Sequence, residues 1–92
     1  MSLTPEEVLE VVRAAVVTVL EVAPAAVDRS SRFREDLRAD SLALVEIVEI
    51  VEEVLAPRAR PGFHLDDDDL DALTTVGEAV DLVVRQAGEH RG

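Results

Sequence analysis

Apolar residues recur every three or four positions in three stretches of the chain, the spacing that puts them on one side of a helix. At the start of the first stretch, Thr4 is placed to cap, Pro5 to take the first helical position and Glu7 to close a capping box. Turning about 100° per residue gathers Val8, Leu9, Val12, Ala15, Val16, Val19 and Leu20 on one face, with Glu6, Glu10 and Arg13 opposite. The pattern breaks at Pro24 and stays mixed from Asp28 to Asp40, so a connection of roughly 20 residues is expected from Glu21 to Asp40. A loop of that length in a compact domain points to function, and Val27, Phe33 and Leu37 are the residues expected to pin it to the core.

The second helix is predicted from Ser41 to Leu55. Leu44, Ile47, Val48, Val51 and Leu55 form its inward side, whereas Leu42, Val45, Glu46, Glu49, Glu52 and Glu53 lie opposite. That outer band holds four carboxylates and no cation. Like charges at this spacing weaken a helix, so local stability does not account for them. Ala56 to Gly62, with Pro57 and Pro61, reads as a loop. Its Arg58 and Arg60 have two readings: screening of nearby carboxylates such as Glu52, Glu53 and Asp66, or selection of a particular partner. Asp66 to Ala72 can form one short helix, because aspartates are favoured at the positive end of the helix dipole. Thr75-Val76-Gly77-Glu78 is a second capping box, opening a last helix to about Gln86 that turns Val76, Ala79, Val80, Val83 and Val84 inward. The expected architecture is an all-α four-helix bundle with three main helices, one short helix and a long loop between the first two. It is read as a single domain over residues 1–92, ordered from about 4 to 87.

Composition narrows the function. A chain of 92 residues with 48% hydrophobic content builds one core. It has no cysteine, so disulfides and thiolate metal sites are excluded, and any sulfur chemistry must be added to it. The formal net charge of −11 disfavours nucleic acid and anionic lipid and favours partners with basic surfaces. Phe33 and Phe63 are the only aromatics, too few for base stacking. The apolar runs are too short to span a bilayer and no charged-then-apolar leader opens the chain, so a cytoplasmic monomer without membrane attachment is expected.

Few residues offer chemistry. The Asp66 to Asp71 run invites a calcium reading, but an EF-hand loop needs Gly at its sixth position and Glu at its twelfth, where this chain has Asp71 and Gly77. No metal site is expected. His64 and His90 are far apart with no supporting nucleophile, which argues against a catalytic site. Ser30 and Ser31 read as turn residues. Ser41, between a loop and an apolar helix, is by position alone an N-cap.

Its flanks change that reading. Phe33-Arg34-Glu35-Asp36-Leu37-Arg38-Ala39-Asp40-Ser41-Leu42, followed by Val45-Glu46-Ile47, resembles the acyl carrier protein family, whose attachment site is an Asp-Ser-Leu triplet at the start of the second helix. The resemblance extends over the first helix, the acidic second helix and the Leu73-Thr74-Thr75-Val76 entry to the last. It implies that Ser41, flanked by Asp40 and Leu42, accepts 4′-phosphopantetheine from coenzyme A through a phosphopantetheinyl transferase. The arm's thiol would then hold acyl groups as thioesters for acyl-loading, condensing or modifying enzymes. On this reading the chain is no enzyme, and Leu42, Val45, Glu46, Glu49, Glu52 and Glu53 form a docking face, an apolar socket-filler ringed by carboxylates. The alternative for the band is a solvated helix face.

Arg38 stands where the family usually has glycine, and its charge could meet the phosphate or redirect partner choice. Ala43 replaces a frequently acidic residue, Glu49 falls where an apolar one is common, and the Ala56 to His64 loop is longer than usual. These departures favour a carrier of polyketide or other specialised biosynthesis over the housekeeping fatty acid carrier. Two alternatives remain: an aminoacyl or peptidyl carrier, which typically has Gly-Gly before the serine motif, and an unmodified acidic helical adaptor.

Overall fold

A computed structural model describes residues 3–59 and 61–88. The chain is all-α, with helices α1 (Pro5–Leu20), α2 (Ser41–Leu55), α3 (Asp67–Asp71) and α4 (Val76–Gly88). Pro24–Ala26 and Ala56–Arg58 add single 3₁₀ turns. Among the described residues there is no strand, only an isolated antiparallel bridge between Arg32 and Thr75.

The local signals act as their chemistry requires. Thr4 Oγ1 accepts from the Glu7 N–H and Glu7 Oε1 accepts from the Thr4 N–H, both at 3.1 Å, so two otherwise unpaired donors are satisfied reciprocally. The Thr4 N–H donation, with Arg58 next, holds the Glu7 carboxyl below its ordinary value. The second box forms likewise. The Glu78 N–H donates to Thr75 Oγ1 at 3.2 Å, while Glu78 Oε1 receives the N–H groups of Thr74 and Thr75 at 2.6 and 3.3 Å.

The core lies between α1 and its two neighbours, α2 and α4. Val8, Val12, Ala15 and Val16 of α1 are buried, as are Leu44, Ile47, Val48, Val51 and Leu55 of α2. On α4 the buried set is Val76, Ala79, Val80, Leu82, Val83 and Ala87. Leu82 and Ala87 thus join the expected face, while Val84 is only half-buried. The helix runs to Gly88 rather than stopping near Gln86. The short helix spans Asp67–Asp71, one residue shorter at each end than expected.

Val27, Phe33 and Leu37 are all buried, so the long connection is pinned where the sequence places the pins. Its backbone is equally engaged. The Phe33 N–H donates to the Thr74 carbonyl at 3.0 Å, and the Ser31 and Arg29 carbonyls accept from Val76 and Gly77, each at 2.9 Å. The loop therefore satisfies N–H groups of the first turn of α4 that have no partner within the helix. Gly77 makes this approach possible, since a Cβ there would lie 3.0 Å from the Arg29 carbonyl oxygen. Ser30 and Ser31 organise the preceding turn. Asp28 Oδ1 accepts from the Ser30 hydroxyl at 2.7 Å and its N–H at 2.9 Å, which keeps the Asp28 carboxyl below its ordinary value.

The loop after α2 departs from expectation. Arg58 Nη2 donates to Glu7 Oε1 at 3.0 Å, tying the end of α2 to the start of α1 rather than screening Glu52, Glu53 or Asp66. Glu52 is engaged elsewhere, accepting the Leu65 N–H at 2.7 Å with His64 Nδ1 at 3.1 Å. Arg60 lies outside the described residues.

Two residues before α2 set its start. Arg38 adopts φ 61°, the left-handed region, in a turn between buried Leu37 and Ala39. This explains why glycine is usual there: a side chain in that conformation costs about 1–2 kcal/mol. Asp40 is the N-cap, its Oδ1 accepting from the Ala43 N–H at 2.8 Å, so Ser41 is the first helical residue and not the cap.

Arg38→Gly should accordingly raise stability by up to about 1 kcal/mol in urea unfolding, the relief of strain exceeding glycine's extra chain entropy. Asp40→Ala should cost about 1 kcal/mol as a lost cap, whereas Ser41→Ala should move the same midpoint by less than half as much.

Candidate functional site

Ser41 occupies the first position of α2, a helix of 15 residues, with its side chain exposed. Because Asp40 takes the capping role, the Ser41 hydroxyl is released from structural duty. Its partner is Arg34, whose Nη2 donates to Ser41 Oγ at 3.1 Å. Among the described residues no His or carboxylate hydrogen-bonds to this hydroxyl, so there is no general base in contact with it. The hydroxyl is placed to be reached by another molecule's catalytic groups.

Arg34 was not singled out by the sequence, which drew attention to Arg38 through its closeness to Ser41. The left-handed turn at Arg38 brings the earlier residue onto the serine, while Arg38 itself is exposed and makes no ion pair among the described residues. No local pattern marks Arg34; only the path of the loop does.

Beside Ser41 opens a cleft of about 270 Å³ lined by Arg34, Ser41, Leu44, Val45, Leu70 and Asp71. It lies between the start of α2 and the end of α3, with Leu44, Val45 and Leu70 as apolar wall and one charged residue of each sign. Further in, Val12, Phe33, Leu44, Val51 and Val83 enclose only about 20 Å³. That is room for about one water molecule, which needs at least about 10–15 Å³, and for nothing larger.

Leu42 projects into solvent at 68% exposure, next to Ser41 on the surface of α2. Val45 is half-buried, and Glu46, Glu49 and Glu53 are exposed. Glu52 differs from these. Its side chain is only 20% exposed because it is turned to hold Leu65 and His64 in the following loop. The acidic band thus divides into three free carboxylates and one that fixes the chain reversal toward α3.

The arrangement fits a covalently attached phosphate-linked arm. It offers an exposed hydroxyl, a guanidinium donating to that hydroxyl, and the unpaired N–H groups at the start of a long helix, where negative charge is favoured. No described helix is long and apolar enough to cross a membrane.

Comparison with known proteins agrees with this geometry. Residues 10–83 match the family described as "Phosphopantetheine attachment site". The acyl carrier protein of Rubrobacter xylanophilus is 39% identical over 79 residues, covering 86% of this chain and 90% of its own. That of Chlamydia muridarum is 39% identical over 72 residues, covering 78% and 86%. That of Picosynechococcus is 34% identical over 85 residues, covering 92% and 98%. With a matched segment spanning most of the chain and relatives aligned over nearly their whole length, the chain belongs to the acyl carrier protein family, non-catalytic carriers that bear phosphopantetheine.

Proposed function

We propose that Ser41 is the residue that bears the phosphopantetheine arm, and that α2 presents the loaded arm to the enzymes of one dedicated route, such as polyketide or other specialised biosynthesis. The observation that carries the attachment is the exposed Ser41 hydroxyl at the first position of α2, free of capping and met by the Arg34 guanidinium. When bound, the arm supplies a thiol that the chain itself lacks, on which acyl groups ride as thioesters. The chain's own residues position and expose this point. Asp40 fixes the helix start, Phe33 and Leu37 anchor the preceding loop, and tethering keeps the cargo at high effective concentration near a docked enzyme.

Membership of the family brings a phosphopantetheinyl transferase and pathway enzymes as partners. For their docking face we favour Leu42 with Val45, Glu46, Glu49 and Glu53, an apolar projection bordered by carboxylates that suits a socket with a basic rim. Glu52 contributes charge to the same side, though its carboxylate is engaged with Leu65 and His64. The dedicated route is supported by features of this chain: Glu49 adds charge to the face, Ala43 removes it at the helix start, and the Ala56 to His64 loop is secured through Arg58 to Glu7.

Incubation with coenzyme A, magnesium and a broad-specificity transferase should add the mass of one phosphopantetheinyl group to the wild type and none to Ser41→Ala. A mass gain that persists in the variant would place the arm elsewhere, and no gain in the wild type would favour an unmodified adaptor. Reversing Glu46 and Glu53 to Lys should lower kcat/KM with a cognate enzyme several-fold while leaving the melting temperature nearly unchanged, because exposed charges add little to stability. Equal turnover by variant and wild type would reduce the band to a solvated surface.

A further inference from the structure

We propose that Arg34 is a positioning residue that grips the phosphate at the root of the arm; this rests on the assignment of Ser41 as the attachment residue. The observation behind it is an imbalance in how the arginines are used. The protein has 20 acidic side chains and nine cations, all arginine, so acidic partners outnumber the guanidinium groups. Arg13, Arg29, Arg32 and Arg58 choose them, pairing with Glu10, Asp81, Glu35 and Glu7. Arg34, like Arg38 and Arg85, forms no ion pair among the described residues, but it alone of these three donates to the Ser41 hydroxyl.

The carboxylates nearest to Arg34 in sequence are engaged elsewhere. Glu35 is paired with Arg32, Asp36 accepts the Arg32 N–H at 2.9 Å, and Asp40 accepts the Ala43 N–H at 2.8 Å. Asp71 lines the same cleft without pairing with Arg34. A guanidinium carries five donors in a planar fork, and the contact with Ser41 uses one of them. Esterification of Oγ puts a phosphodiester on the atom Arg34 already touches, with two non-bridging oxygens that share one negative charge two bonds beyond it. The contact with a neutral acceptor would then become one between opposite charges, of the kind arginine makes best. The arm also adds negative charge to a chain already at −11, and Arg34 is the cation placed to offset it at the point of attachment.

Phosphorus NMR of the loaded protein tests this directly. Wild type, R34A, R34K, R38G and R85A are loaded from coenzyme A with a broad transferase, and each loading is verified by intact mass. R34A should shift and narrow the phosphodiester resonance toward its position in the urea-unfolded protein, and R34K should restore it part of the way. R38G, which removes the nearer cation in sequence, and R85A, which removes the same charge from α4, should leave it at the wild-type position. About 1 M salt should move the wild type toward R34A, since an exposed contact is screened. R34Q should reproduce R34A and replaces it if circular dichroism shows R34A to be unfolded. A resonance identical in wild type, R34A and R34Q, or one altered by R38G instead, would overturn the proposal while leaving the attachment at Ser41 intact. Absence of any mass gain in the wild type would overturn both.

Discussion

The structure depends on how the long connection between α1 and α2 is held against α4. Burial of Phe33 supplies the energy, and a Phe-sized side chain removed from water contributes about 1.5–3 kcal/mol. Direction comes from the backbone: Phe33 donates to Thr74, and the carbonyls of Arg29 and Ser31 accept from the first turn of α4. Apolar contact alone is non-directional and would leave the loop free to shift along the bundle. The hydrogen bonds fix its register, and with it the positions of Arg34, Arg38 and Asp40 ahead of the serine. Gly77 is part of the same device, because the loop carbonyl sits where a side chain would start.

At the entry to α2 the jobs are divided among neighbours. Arg38 accepts a strained backbone so that buried Leu37 and Ala39 can bracket a sharp turn, Asp40 satisfies the helix start, and Ser41 is left exposed with its hydroxyl met by Arg34. Had the serine been the cap, its oxygen would be committed to a backbone N–H, and modification would compete with helix stability. Capping by the preceding aspartate removes that conflict.

Charge is distributed by a similar logic. Many of the acidic residues work within the fold: Glu7 and Glu78 close capping boxes, Asp28 orders a turn, Glu52 receives the chain as it returns toward α3. Glu46, Glu49 and Glu53 remain exposed on α2. Repulsion between such neighbours costs about 0.2–0.5 kcal/mol per pair. Five buried aliphatic side chains on the other face of α2 outweigh that several times over, at about 1.5–3 kcal/mol each. The helix therefore tolerates an acidic surface that its own local energetics oppose.

The sequence by itself determined the three main helices, both capping boxes, the buried face of α2, the centre of that of α1, where Leu9, Val19 and Leu20 are only half-buried, and the three anchors of the long loop. Each of these depends on residues within a turn or two of one another, where spacing and side-chain type settle the geometry. The motif around Ser41 was legible for the same reason. Only the tertiary structure decided that Arg58 meets Glu7, that Glu52 leaves the acidic band to hold Leu65, that α4 buries Leu82 and Ala87, and that Arg34 rather than Arg38 reaches the serine. These outcomes depend on how loops close and on which donors and acceptors compete at the point of contact. A long, flexible arginine or glutamate takes the partner that the assembled fold presents, and its own neighbours in sequence do not specify which one that is.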